Sequence, residues 1–235
     1  MVQSNKKDIY MTILDKKPLI EKIINVFETG TVEGKYDKLV IYDDGFNNSH
    51  QITYGRSQTT EQGNLARLID MYVDNTGKFA DDFVPYLEKI GVESLVDDEY
   101  FKDLLIRAAR EDQIMRYTQD KFFDQVYWEP AKSWFERNGF TLPLSMLVAY
   151  DSYIHSGSVP MFLRKRFIEA PPARGGNEKK WMGSYVETRH QWLKYNEKPL
   201  LRRTIYRTQT FLNEMAKDNW ALDILPIIAN GVEVS

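Results

Sequence analysis

Residues 27–45 read FETGTVEGKYDKLVIYDDG. Just ahead of them, PLIEKIINVFE (18–28) sets Ile20, Ile23, Ile24 and Phe27 at i, i+3, i+4 and i+7. That spacing predicts an amphipathic helix, with Gly30 as its stop. Inside the stretch, DKLVIYD (37–43) reads as a strand, and HQITYG (50–55) reads as a second one. The intervening DDGFNNS is turn chemistry, so the pair predicts a hairpin. From Glu61 onward helical patterns dominate, at 61–75, 80–90, 98–125, 129–138, 144–155, 159–168, 177–194 and 200–217. Breaks fall at Gly91, Pro130, between Gly139 and Pro143, at Gly157 and in the loop APPARGGNE (170–178). The expected fold is mainly α with a small β-hairpin, a single domain over 1–235 made of two helical lobes without a separate linker.

Composition narrows the function. The chain has 235 residues, 43% of them hydrophobic, which supports a sizeable core. A net charge of −3 lacks the basic excess of a nucleic-acid binder. The absence of cysteine removes disulfides, thiolate metal sites and a Cys nucleophile. No apolar run approaches the ~20 residues that span a bilayer, and no signal peptide is visible at the N-terminus. His50, His155 and His190 show no metal-ligand spacing, so no metal or cofactor is expected. Ser145, Ser152 and Ser156 lack the GxSxG context of a serine hydrolase.

Carboxylates remain. Glu28 closes the first helix, where the negative end of the dipole and the apolar neighbours Val26 and Phe27 disfavour a charge. That setting suits a general acid. Asp43 and Asp44 end a strand in a wet turn, where an ionised carboxylate can activate water. Two carboxylates in unlike surroundings are what glycoside hydrolysis uses, and a cleft lined by the small sheet is the natural seat of a polymer substrate.

Several segments together resemble glycoside hydrolase family 46, the chitosanases of the lysozyme-like group. They are FETG, YDDG, ITYGRSQTTEQGNL, EDQIMRYTQDKFFDQVYWEPA (111–131), AYDSYIHSG (149–157), PPARGGNEKKW, YVETRHQWL and RTIYRTQTFLNEMAKDNWALDILP (203–226). They run in the family's order over about four-fifths of the chain. The resemblance implies an endo-hydrolase of a β-1,4-linked amino-sugar polymer, acting by inversion without a cofactor, as a secreted monomer. It implies Glu28 as general acid and Asp44 as general base, with Asp43 as the fallback, and Thr53 positioning the water. Behind the acid it implies a buried charge network of Asp151, Arg203 and Arg189. Inversion needs the two carboxyls ~6.5–9.5 Å apart.

One position departs from the family pattern. Chitosanases carry an aspartate for the substrate amine after the glycine of TTEQGNL, where this chain has Asn64. Asparagine is neutral and suits an N-acetyl group better than an ammonium; it also suits a helix N-cap. Glu61 is the candidate to supply a carboxylate nearby. Two alternatives to chitosan hydrolysis follow: a muramidase-like hydrolase of peptidoglycan, and an inactive carbohydrate-binding protein. Presence of both Glu28 and Asp44 speaks against the latter.

Overall fold

The computed structural model describes residues 6–235, with side chains from residue 11 onward. It divides into two compact units: the chain up to Val32 together with Tyr127–Ser235, and Glu33–Val126.

The first unit opens with α1 (Lys6–Thr29). Ile20, Ile23 and Ile24 are fully buried and Phe27 nearly so, as the spacing predicts. The helix starts well before the predicted residue 18, because Pro18 lies inside it and not in its first turn. It ends where expected: Gly30 takes a left-handed φ of 79° and its N–H donates to the Val26 carbonyl at 2.9 Å. Thr29 Oγ1 donates to the Asn25 carbonyl, and Asn25 Nδ2 to the Val32 carbonyl, which fixes the chain's exit from the helix.

The second unit carries the sheet. Strands β1 (Leu39–Tyr42) and β2 (Gln51–Tyr54) form the predicted hairpin, with Leu39 opposite Tyr54 and Tyr42 opposite Gln51. A third strand that the sequence reading missed, β3 (Thr59–Thr60), pairs antiparallel with β2. All four residues of β2 are buried, so this central strand anchors the sheet. Helices α2 (Leu65–Asp74), α3 (Ala80–Phe83), α4 (Glu99–Glu111) and α5 (Gln113–Phe123) complete the unit, with α2 packed on α5. The single helix predicted over 98–125 is broken at Asp112. That residue is extended, at φ −127° and ψ 115°, and its carboxylate caps α5 by accepting from Ile114 N. It also accepts from Tyr72 Oη at 2.6 Å and Lys78 N at 2.7 Å, so the break is held from three directions.

Back in the first unit come α6 (Glu129–Arg137), α7 (Pro143–Ser156), α8 (Met161–Arg164), α9 (Glu178–Lys194), α10 (Pro199–Arg203) and α11 (Ile205–Ala216). The first ten residues of α7 are all buried, so it is the unit's central helix, and α1 and α6 pack on it. Proline at its first position and left-handed Gly157 after its last set its limits. The helix predicted over 200–217 is broken at Thr204, and α8 occupies only part of the predicted 159–168. A terminal hairpin, β4 (Ile227–Ala229) and β5 (Val232–Val234), was not foreseen. Its turn is Asn230-Gly231 with positive φ at both residues, a strong hairpin signal that lies just beyond the last predicted helix.

Candidate active site

In the first unit, Glu28 sits in the last turn of α1 and its side chain is 8% exposed. Arg207 Nη2 donates to its Oε1 at 2.5 Å. The other arm of the same guanidinium, Nη1, donates to Asp151 Oδ1 at 2.8 Å. Asp151 Oδ2 in turn accepts from Arg189 Nη1 at 2.6 Å. Three helices therefore bring a chain of alternating charges behind Glu28: Arg207 from α11, Asp151 from α7 and Arg189 from α9. Asp151 and Arg189 are fully buried, and the Asp151 carboxylate is shared by two guanidiniums. The pairing matters because an unpaired charge at such depth is costly. Aromatic rings wall the network. The Arg207 guanidinium lies 5.5 Å from the Phe27 ring centre and 5.8 Å from that of Tyr206, whose hydroxyl donates to the Phe27 carbonyl at 2.8 Å.

Electrostatics follow from this arrangement. Burial pushes the Asp151 carboxyl up, but Arg189 and Arg207 outweigh it and hold the group below the usual carboxylate range. Burial disfavours the charge on Arg207, yet Glu28 and Asp151 overcome it and raise its pKa. His155, near the end of α7, is pushed down to about 3 by burial and by the two arginine charges. Between pH 3 and the unfolded value near 6.5, the unfolded chain binds a proton that folded His155 refuses. Stability therefore falls as pH drops through that window, by on the order of 2 kcal/mol at pH 5. Urea unfolding at pH 7.5 and pH 5 is expected to show that loss in the wild type and a smaller loss in His155→Gln. An equal loss in both would remove His155 as its source.

The network corrects one sequence expectation. Arg203 is not in it; it is exposed at the end of α10, and the second arginine is Arg207. The two stand four residues apart, so on one continuous helix they would share a face, and spacing alone cannot choose between them. The break at Thr204 puts Arg207 in the inward first turn of α11. Arg189 and Asp151 are the other members of the network behind Glu28.

In the second unit, Asp44 follows β1 and is exposed. Gln51 Nε2, from the first residue of β2, donates to its Oδ1 at 2.8 Å, while Gln51 Oε1 accepts from Gln62 N. Sequence reasoning passed over Gln51, which orients Asp44 with a neutral amide. Asp43 is differently placed: it pairs with His50 Nδ1 at 2.7 Å, both side chains exposed. Thr53 lies two residues beyond Gln51 on β2, hence on the same face. It is 4% exposed, and its hydroxyl is buried without a hydrogen-bond partner among the described residues.

Glu61 is not available to a substrate. It is 2% exposed and both oxygens are used, accepting from Ile52 N at 3.0 Å and Leu95 N at 2.7 Å. Its carboxylate ties the central strand β2 to the loop before α4. Asn64 occupies the N-cap position of α2 but makes no side-chain capping bond, and it is partly exposed. Among the described residues no cluster of three or more His, Asp or Glu has the arrangement of a metal site.

The family model for glycosyl hydrolase family 46 matches residues 22–226. The chain belongs to that family. It is therefore a glycosidase, and the mostly helical fold with its small antiparallel sheet is the lysozyme-like fold of the chitosanases. This family 46 chain is 25% identical over 221 residues to a chitosanase of Bacillus subtilis, covering 87% of its own length and 78% of the relative's. It is similar in fold to native chitosanase from Bacillus subtilis MY002, with a TM-score of 0.81 at 22% identity, covering 94% and 98% of the two chains. It is also similar to the Gynuella sunshinyii family 46 chitosanase in complex with chitotetraose, with a TM-score of 0.80 at 22% identity, covering 93% and 96%. No helix among the described residues is long and apolar enough to cross a membrane.

Proposed function

We propose that this protein is an inverting endo-chitosanase with Glu28 as general acid and Asp44 as general base. The observation that carries the reading is the Glu28–Arg207–Asp151–Arg189 network in a family 46 chain. It fixes one carboxylate of a glycosidase at a helix end, with Arg207, Asp151 and Arg189 linked behind it. In this reading Glu28 gives its proton to the glycosidic oxygen as the bond breaks. Arg207 then stabilises the carboxylate that forms. Asp44, oriented by Gln51, takes a proton from the water that attacks the anomeric carbon from the opposite face. Thr53 shares the Gln51 face of β2, but its hydroxyl is buried from solvent and does not reach that water. No cofactor is needed for these steps. The substrate is a polymer too large to enter a cell, so the enzyme acts outside it, as a monomer.

The two aspartates are separable. Asp44→Asn is expected to lose ~10²–10⁴-fold in kcat, the usual worth of a positioned general base, and Asp43→Asn less than tenfold. Reducing-end release from chitosan measures both, and the reverse ranking would move the base to Asp43.

Asn64 favours a second reading, in which N-acetylated glycan such as that of peptidoglycan is cut. Side-by-side digestion of chitosan and purified peptidoglycan distinguishes the two. Glucosamine oligomers alone support the first reading; muropeptides alone support the second and overturn the first.

A further inference from the structure

Asp44 is carried by a turn that burial does not anchor. Phe46–Asn48 form a single 3-10 turn with no buried residue, and the Phe46 ring is 80% exposed. A segment with so little apolar contact is held in place by its hydrogen bonds. Inside the turn, Gly45 N donates to the Ser49 carbonyl at 3.0 Å and Ser49 N to the Phe46 carbonyl at 3.1 Å. The Asp43–His50 pair spans the same loop. These contacts close the loop on itself and give it no anchor outside.

The outside anchor comes from Gln62, two residues past β3. Its Oε1 accepts from Phe46 N at 2.5 Å, and its Nε2 donates to Ser49 Oγ at 2.9 Å. Its own backbone N–H donates to Gln51 Oε1 at 3.1 Å, and Gln51 Nε2 donates to Asp44 Oδ1 at 2.8 Å. One residue thus grips the turn through both amide atoms and, through its backbone, the amide that orients Asp44. An amide suits this place because it accepts at one end and donates at the other. Gly45 shows how closely the parts fit. Its φ of −71° is open to any residue. A Cβ there would nevertheless lie 2.5 Å from Ser49 Oγ and 2.9 Å from Gln62 Nε2.

We propose that Gln62 is a positioning residue for the general base, setting the place of Asp44 by pinning the turn that carries it. The inference rests on Asp44 being that base. Misplacing a reacting group by about 1 Å can cost ~10²-fold in rate.

The test is a double-mutant cycle on the full chain with chitosan as substrate. Gln62→Met keeps the side chain's length and removes both of its hydrogen bonds. It is expected to lower kcat by ~10–100-fold with KM within about twofold of wild type. Because Gln62 is exposed, the melting temperature should stay within ~2 °C. Gly45→Ala, which intrudes on the same contacts from the turn, is expected to lower kcat by a similar factor. In an Asp44→Asn background, adding Gln62→Met should cost less than about twofold, since the base it positions is already gone. Near-wild-type turnover in Asp44→Asn would remove the reading beneath the inference. With Asp44→Asn impaired, a Gln62→Met loss under tenfold, a loss in KM instead of kcat, or losses that multiply would each overturn the role of Gln62 alone.

Discussion

Glu28→Gln is expected to lower chitosan turnover by ~10²–10⁴-fold with the fold intact. Glutamine keeps the size and shape of the side chain, and its amide oxygen still accepts from Arg207 Nη2, which now lies 2.5 Å from Glu28 Oε1. The group that carries the transferable proton is lost. Reducing-end release measures the rate, and circular dichroism during heating reports the fold. A variant that unfolds near the wild-type temperature and turns over within tenfold of wild type would end the assignment of Glu28 as acid.

The second large effect is on stability. Arg207→Ala removes the cation shared by Glu28 and Asp151 and leaves Arg189 alone against two buried carboxylates. Breaking a buried ion pair from one side costs ~3–5 kcal/mol. At ~2–4 °C per kcal/mol for a chain of this size, the melting temperature should fall by roughly 6–20 °C. The exposed Arg203→Ala is the matched control, expected within ~0.5 kcal/mol of wild type. Equal melting of both variants would mean that the network does not hold the first unit together. The Arg207 loss should also deepen in one pH direction. Asp151 titrates below its unfolded value near 3.9 in the intact network. Its contribution is therefore fully present above that value and lost as pH falls through the depressed folded one.

How far the sequence could be read depended on whether a local pattern was enough. The apolar spacing of α1, its glycine stop and the hairpin after it are local, and all three appear as expected. The break at Asp112 and the turn at Asn230-Gly231 had local signals too, an acidic N-cap and a hairpin dipeptide. The first was overridden by a helical pattern that continues on its far side, and the second lies beyond the last helical pattern, 200–217. Pro18 was misplaced because a first-turn proline and an interior one look alike without the preceding turn's packing. The charge network shows the other limit. That Asp151 pairs with two arginines is what the family resemblance implies, but the choice of Arg207 over Arg203 depends on where a helix restarts. Glu61 failed as a substrate ligand for a related reason. Its neighbours in the chain look like a binding loop, while its carboxylate is spent on Ile52 and Leu95 backbone N–H groups, and Leu95 lies far along the sequence. Gln51 escaped notice because an amide next to a turn carries no signal until Asp44 is seen beside it.

The most direct test of the account is the anomeric form of the first product. Chitosan is digested with the wild-type protein inside the NMR tube, and the new reducing ends are followed by proton NMR before they mutarotate. Inversion at a β-linked sugar predicts that the α-anomer appears first and the β-anomer only later. Early β-anomer would contradict the assignment of Asp44 as a base that delivers water.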